Sequence, residues 1–342
     1  MLAQIAPVST KMTMTGKETR APEAVNRRVL AFFARYGTLL VLAAMIVGFG
    51  VASPNAFLTE RNLVNVLNQS ALLAIVAGGL TIVLVAGQFD LSFGNVLGLT
   101  GILAVGLHQS GLPSGLAVLL SLAAAAVVGL VNGLLVSALR VNAIVATLAT
   151  STFVLGINFW YSNGAPITLT AGDFTSIARG NLFGIPMPIV IELVFLAVLW
   201  ALLNRTVVGH HAQAVGANQV AARLAGVNVG RVTVVAFMIG AVAAGIAGIV
   251  LSARIGSAQV TAGDGYLLGA FAACFLGASV LRDGEFHILG TFVGVLIVTV
   301  ATNGFAILGA PSFAQYLVQG AILAGAVALS TTSRRILGQT KR

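Results

Sequence analysis

The chain has 342 residues, of which 58% are apolar and 8% are charged, and its mean hydropathy is +1.01. An ordinary soluble domain is close to half apolar and a quarter charged, so this composition excludes a soluble enzyme. It also excludes a disordered chain, which needs the opposite balance. The apolar runs are long and continuous, without the alternation of barrel strands, and they predict a polytopic helical membrane protein.

Ten apolar runs follow one another along the sequence, and each meets or nearly meets the roughly 20 residues that a helix needs to cross a bilayer. They are centred near residues 38–53, 65–86, 92–109, 115–138, 143–161, 187–203, 232–253, 265–281, 287–308 and 314–331. The sequence therefore predicts an all-α integral membrane protein with about ten transmembrane helices.

The basic residues that give the net charge of +9 are distributed as expected for a membrane protein with a defined orientation. With ten spans and an internal N-terminus, all 18 Lys and Arg residues but three, Arg61, Arg179 and Arg254, fall in cytoplasmic segments. This asymmetry predicts that both termini are cytoplasmic, and it leaves no basic patch for a nucleic acid.

Three regions follow from this topology. Residues 1–36 are polar and basic and are interpreted as a cytoplasmic tail, residues 37–331 as the transmembrane domain, and residues 332–342 as a second cytoplasmic basic tail. A cleaved signal peptide is the alternative for the N-terminus, but the basic lead and the first apolar run are both long for one.

Polar side chains inside the apolar runs are candidates to line a pathway. Asn65 and Gln69 share a face of the second run, and Thr147, Ser151 and Asn158 share a face of the fifth. The candidate lining residues are Asn65, Gln69, Thr147, Ser151, Asn158 and Asn303. Amides and hydroxyls suit a neutral polar solute, whereas the alternative is that they join helices by hydrogen bonds.

Asp90 lies in the segment Gly87-Gln-Phe-Asp-Leu-Ser-Phe-Gly94, between the second and third runs. A carboxylate near the bilayer interior costs free energy and needs a reason. In the structural interpretation, Asp90 or Ser92 caps the following helix, and Gly87 and Gly94 permit a tight turn. In the functional interpretation, Asp90 lies at the inner end of a pathway as part of a gate or of a contact with a partner. The two roles can coexist.

Two other features of the runs give structural predictions. Gly129 and Gly133 form a pair of small residues that lets helix backbones approach closely. Glu192, at the start of the sixth run, is expected either to extend its carboxylate to the outer interface or to pair with a basic residue of the outer loop such as Arg179.

The longest cytoplasmic loop, 204–231, contains a short helix signal. Asn218 is a suitable N-cap and Gly226 a suitable residue just beyond the C-terminus, which predicts about two turns between them. A helix this short is unstable alone in water, so it is expected to pack on its own membrane helices or in the groove of a partner. A simple connector on the membrane surface is the alternative.

Three segments, in order along the chain, resemble the permease subunits of ribose-type ABC importers. The segment Gly87-Gln-Phe-Asp-Leu-Ser-Phe-Gly94 resembles the family signature Gly-Gly-Ile-Asp-Leu-Ser-Val-Gly. The segment 214–229 resembles the coupling segment of that family, and Gly256-Ser-Ala-Gln-Val-Thr-Ala-Gly-Asp-Gly-Tyr266, with Leu276-Gly277 and Leu289-Gly-Thr291 after it, resembles its C-terminal half. The similarity runs from about residue 38 to 331.

This resemblance implies a multi-pass permease of the bacterial inner membrane that forms the translocation pathway for a monosaccharide or a similar small polar solute. It implies, besides the lipid bilayer, an ATP-binding subunit, a periplasmic solute-binding protein and a second permease, either a copy or a paralogue. The residues implied to dock on the ATP-binding subunit are Asn218, Ala221, Ala222, Arg223, Leu224 and Gly226. Gln219 and Val220 depart from the acidic residues that the family often carries there.

The chain itself has no nucleotide-binding motif, since its only Gly-Lys pair, Gly16-Lys17, lacks the upstream glycine of a phosphate loop. We therefore expect a transport subunit, not an enzyme, with no cofactor or metal of its own and with ATP bound by a partner. The single cysteine, Cys274, excludes an intrachain disulfide. The alternative function is an ion-coupled secondary transporter of a small neutral solute, which should show intramembrane carboxylates.

Overall fold

The computed structural model describes residues 21–169, 173–279, 284–311, 313–325 and 327, with side chains from residue 36 onwards. The predicted tail at 332–342 and residues 1–20 of the predicted N-terminal tail lie outside this part of the chain. The first helix begins at Ala21, so helix extends into the second half of the predicted basic tail.

The described chain is almost entirely helical. Its helices are α1 (Ala21–Ala52), α2 (Pro54–Phe57), α3 (Glu60–Val85), α4 (Phe93–Gln109), α5 (Ser114–Ser137), α6 (Ala143–Ser162), α7 (Ser176–Arg179), α8 (Met187–Arg205), α9 (Val207–Ala217), α10 (Gln219–Leu224), α11 (Val229–Ile255), α12 (Asp264–Ala278) and α13 (Ile288–Ile307). Residues 313–325 are also helical. Among the described helices, six are long and apolar enough to cross a membrane, namely α3, α5, α6, α8, α11 and α13. This confirms an all-α membrane protein.

The centre of the bundle is formed by α11, which packs against α3, α4 and α5. The predicted close approach at Gly129 and Gly133 is confirmed, because a Cβ at Gly133 would lie 2.6 Å from Cα of Val234 on α11. A Cβ at Gly129 would lie equally close to the carbonyl oxygen of Phe237. Glycine therefore lets the backbones of α5 and α11 make direct contact. In a bilayer no hydrophobic effect drives helices together, and such close van der Waals packing stabilises the helix pair instead.

A second packing unit joins α3, α12 and α13. The hydroxyl oxygens of Thr81 on α3 and Thr291 on α13 are 2.6 Å apart, and the thiol of Cys274 on α12 donates to the carbonyl oxygen of Ala77 at 3.3 Å. Cys274 is fully buried. Small and hydroxylated side chains thus join three helices at one level of the bundle.

The loop between α6 and α8, which the sequence predicts to lie on the outer side, is compact and contacts several helices. Its strand β1 (Ile167–Thr168) pairs antiparallel with β4 (Ser257–Ala258), directly after α11. Strands β2 (Asn181–Leu182) and β3 (Ile185–Pro186) form a hairpin, and a 3₁₀ turn at Asp173–Thr175 buries Phe174. The loop therefore forms a cap over α4, α5 and α11.

Asp173 connects this cap to α5. The hydroxyl of Ser114 donates to Oδ1 of Asp173 at 2.6 Å. This hydrogen bond holds the pKa of the exposed Asp173 carboxyl below its ordinary value, because it stabilises the charged form.

Candidate functional site

The loop 204–231, which the sequence predicts to be cytoplasmic, contains the short helix predicted between Asn218 and Gly226. Oδ1 of Asn218 accepts from the backbone N–H groups of Val220 and Ala221, both at 3.0 Å, as an N-cap does. At the other end Gly226 has φ +83°, and its N–H donates to the carbonyl of Arg223. The predicted N-cap and left-handed glycine are confirmed, and the helix, α10, has six residues.

One side of α10 is attached to the protein and the other is open. Ala222 is 4% exposed, whereas Val220 is 70% and Leu224 is 85% exposed. Ala221 and Arg223 are also exposed. Two large apolar side chains four residues apart on one helical face form an unpartnered surface that we name the α10 ridge, Val220 and Leu224.

The segment that precedes α10 packs directly on the end of α3. A Cβ at Gly216, in the last turn of α9, would overlap the carbonyl oxygen of Val85 and would lie 3.2 Å from the backbone nitrogen of Gly87. Gly87 has φ +75°, as a tight turn after α3 requires, whereas Gly94 lies within α4 and has no positive φ. The loop 204–231 and the Asp90 segment, which are distant in sequence, are therefore in backbone contact.

Asp90 lies buried at the centre of this turn, 1% exposed. Its Oδ1 accepts from the backbone N–H of Ser92 at 2.7 Å and from the Ser92 hydroxyl at 2.6 Å. Ser92 occupies the N-cap position of α4 but makes no side-chain cap hydrogen bond. The carboxylate consequently fixes the turn itself, and the amide of Asn132 on α5 holds Ser92 from the other side, with Nδ2 donating to Oγ at 2.8 Å.

The predicted polar face of α6 forms hydrogen bonds with the same turn and with the start of α4. Thr147 accepts from the backbone N–H of Leu91 at 3.1 Å, and Ser151 accepts from the side-chain amide of Asn95 at 2.8 Å. Nδ2 of Asn158 donates to the carbonyl of Asn95 at 3.1 Å. Three of the predicted lining residues thus position the turn and the first residues of α4.

The far end of the turn meets the third motif of the sequence. A Cβ at Gly263, just before α12, would overlap the carbonyl oxygen of Gly94. Among the predicted turn residues, Gly87 contacts the loop 204–231, Asp90 and Ser92 hold the bend, and Gly94 contacts the start of α12. Sequence reasoning missed Asn95, whose position next to Gly94 gave no separate signal.

The other predicted lining residues lie elsewhere. Asn303 exchanges two hydrogen bonds with Asn62, at 3.0 and 3.1 Å, and joins α13 to α3. Asn65 is exposed, and Gln69 borders a cavity between α3, α11, α12, α13 and the helix at 313–325. The six candidates therefore do not form one surface.

The predicted pairing of Glu192 with Arg179 is wrong for the described part of the chain. Nε of Arg179 donates to the backbone carbonyl of Arg254 at 3.1 Å. Glu192 is buried, and its Oε1 has no hydrogen-bond partner there. The reason is its register on α8, because Glu192 shares the buried stripe with Leu196 and Leu199, which contact Gly78 of α3.

The chain is similar to known transport permeases. The family model described as "Branched-chain amino acid transport system / permease component" matches residues 62–327. Ribose import permease protein RbsC of Bacillus subtilis (strain 168) is 37% identical over 297 residues, which cover 86% of this chain and 92% of that protein. No solved structure matches the chain significantly.

Two further relatives have similar coverage. D-allose transport system permease protein AlsC of Escherichia coli (strain K12) is 31% identical over 92% of this chain and 97% of its own length. L-arabinose ABC transporter permease protein AraH of Azospirillum brasilense is 33% identical over 90% of each chain. These similarities confirm the resemblance that the three motifs indicated. The chain therefore belongs to the family of branched-chain amino acid transport system / permease components.

Proposed function

We propose that this chain is the membrane-spanning permease subunit of an ATP-driven importer of the bacterial inner membrane. Its substrate is a monosaccharide or a similar small polar solute, in line with relatives that are named as permeases for ribose, D-allose and L-arabinose. Its partners are an ATP-binding subunit, a periplasmic solute-binding protein and a second permease. The chain acts as a transport subunit, and the partner binds and hydrolyses ATP.

The proposed topology has ten membrane crossings with both termini in the cytoplasm. Each of the ten apolar runs falls on a helix in its described part, including the shorter α4 and α12. The concentration of Lys and Arg in the proposed inner segments supports this orientation. The loop 204–231, with α10, then faces the cytoplasm and the ATP-binding subunit.

The observation that supports the proposal most strongly is the exposed α10 ridge, which follows directly on the backbone contact of Gly216 with the end of α3. Leu224 and Val220 supply an apolar surface for the groove of a partner, and Arg223 adds a cation beside it. Asn218 and Gly226 shape the helix ends, whereas Ala222 seats α10 on the body of the permease. Ala221 is the small exposed residue that permits close approach.

Movement of α10 has a direct route into the bundle. Gly216 lies against Val85 and Gly87, and the turn that follows is held rigid by Asp90 and Ser92. Gly94, at the end of this turn, lies against Gly263 at the start of α12. A displacement of the loop on ATP binding is thereby passed to α4 and α12, which supports an alternating-access mechanism.

Reconstitution tests the proposal. The chain is placed in liposomes with its ATP-binding and solute-binding partners, and uptake of labelled D-ribose, D-allose and L-arabinose is measured with ATP and with a non-hydrolysable analogue. ATP-dependent uptake of at least one sugar is expected. Absence of uptake for all three, in a complex that hydrolyses ATP, would contradict the sugar assignment.

An ion-coupled secondary transporter is the second candidate, and the buried carboxyl of Glu192 is the observation that favours it. The two candidates differ in their energy source. Uptake that stops with a protonophore while ATP remains high supports the secondary transporter, whereas uptake that persists supports the importer.

A further inference from the structure

A cavity of about 350 Å³ lies between α3, α11, α12, α13 and the helix at 313–325. It adjoins the C-terminal end of α11 at Arg254 and the first turn of α12 at Gly265 and Tyr266. Its size is at the lower end of the range for small-molecule sites, which suits a ligand no larger than a simple sugar.

Four polar side chains on the wall of this cavity are free to bind a ligand. The side chains of Gln69, Tyr266, Thr299 and Gln319 make no hydrogen bond to the described protein. Thr302, by contrast, donates to the carbonyls of Val298 and Thr299 within its own helix. Free amides and hydroxyls that converge on one space are the groups that donate to and accept from sugar hydroxyls.

Arg254 adds a fixed donor to the same wall. Its Nη1 donates to the backbone carbonyl of Asn68 at 3.0 Å, which orients the guanidinium and leaves its other N–H groups for a ligand. No Asp or Glu is among the lining residues of the described structure, so the cavity offers nothing to neutralise a cation. A ligand whose oxygens accept hydrogen bonds, such as a sugar, fits this wall, whereas a cation does not.

The remaining wall is apolar and open. Leu72, Leu73 and Leu251 supply surface for the C–H face of a sugar ring. Gly265 has no atom within 4 Å of the place where its Cβ would stand, so a side chain there would project into open space beside the wall. Because Gly265 lines the cavity and has free space beside it, a large side chain introduced there is expected to occupy part of the cavity.

We propose that this cavity is a binding subsite for a neutral monosaccharide within a single permease chain. The inference rests on the proposed sugar-importer function and deepens it, because it names the residues that select the solute. Arg254, Gln69 and Thr299 recognise hydroxyl groups, and the leucines contact the apolar face of the sugar ring.

Binding to the full chain in lipid nanodiscs tests the subsite without its partners. Saturation-transfer NMR with D-ribose, D-allose, L-arabinose and D-glucuronate is compared between wild type, Gly265→Leu and Gly115→Leu. Gly115 is the matched control, because it too is the second residue of a helix and has no neighbour within 4 Å. At least one neutral sugar should bind to wild type and Gly115→Leu, and the signal should be lost in Gly265→Leu.

Two conservative variants keep the test independent of folding. Thr299→Val and Gln69→Leu retain side-chain volume and remove polar groups, so each should weaken neutral-sugar binding by roughly two- to tenfold. Binding of no neutral sugar to wild type, binding of D-glucuronate alone, or equal binding by Gly265→Leu would overturn the subsite.

Uptake by the reconstituted complex separates the two proposals. Wild-type uptake rates with Gly265→Leu would overturn the subsite and leave the importer function intact. If the chain binds a neutral sugar in the cavity but the wild-type complex moves none, the importer function fails and the subsite stands.

Discussion

Gly216 lies against the carbonyl oxygen of Val85 with no room for a side-chain carbon between them. This contact joins the loop 204–231 to the last turn of α3. Because both partners are backbone, neither can move aside by changing a rotamer, and the loop cannot shift without moving the turn that contains Asp90.

Gly216→Ala is therefore expected to force the loop away from α3. The added methyl group should destabilise the protein by about 1–3 kcal/mol and should reduce sugar uptake more than it reduces ATP hydrolysis. Thermal unfolding in detergent and the ratio of uptake to hydrolysis measure the two effects. Gly230→Ala is the control, since a Cβ there has only ordinary contacts, and equal effects of both variants would contradict the assignment.

Leu224→Asp should uncouple the permease from its ATP-binding partner without unfolding it. Leu224 is 85% exposed in the described structure, so the substitution removes little packing. A carboxylate in the groove of a partner should cost about 2 kcal/mol or more in binding, or roughly 30-fold in affinity. Arg223→Glu should act in the same direction.

Co-purification of the ATP-binding subunit and the melting temperature check this expectation. Val207→Asp, at an exposed apolar position on α9, is the control. A drop in melting temperature with unchanged co-purification would show that Leu224 supports the fold instead.

Thr147→Val should destabilise the turn that α6 holds. The variant keeps the shape of the side chain but leaves the backbone N–H of Leu91 without its acceptor, at a cost of about 1–3 kcal/mol for a buried group. Thr152→Val is a matched control on the same helix, because Thr152 is exposed and bonds only to the carbonyl of Leu148. Hydrogen exchange at residues 87–94 should rise in the first variant and stay unchanged in the second.

The outer cap should loosen in acid through Asp173. Its pKa is lowered in the folded protein by the Ser114 hydroxyl, so the stabilising effect is present above the ordinary carboxyl pKa and is lost as the pH falls through the folded value. In Ser114→Ala the Asp173 pKa should return toward its ordinary value. NMR titration of the Asp173 carboxyl carbon measures this, and Ser110→Ala, whose hydroxyl donates to Gly106, should leave the titration unchanged.

Local sequence chemistry was enough to predict the helices and the caps of α10. Asn218 and Gly226 act within a few residues of their partners, so their roles follow from residue type. Small residues at Gly129 and Gly133 likewise predicted a close helix contact. The caps act on backbone groups within a few residues along the chain. The glycine pair predicts only that some helix approaches closely, without saying which one.

The site itself could be predicted only in pieces. The polar face of α6 was visible, but nothing local shows that Thr147 binds Leu91, 56 residues away. Glu192 was assigned to an ion pair, because periodicity alone does not say which side of α8 faces α3. The contact of Gly216 with Val85 likewise depends on how distant helices meet, which residue type does not encode.

The burial of the single thiol has a practical consequence. Cys274 donates to Ala77 inside the bundle and is fully buried, so membrane-impermeant maleimides should not reach it in the folded protein. The wild-type chain should therefore not react with these maleimides, and one reporter cysteine at a time can be introduced into it. Labelling from either side of the membrane at exposed loop positions would then show on which side each loop lies.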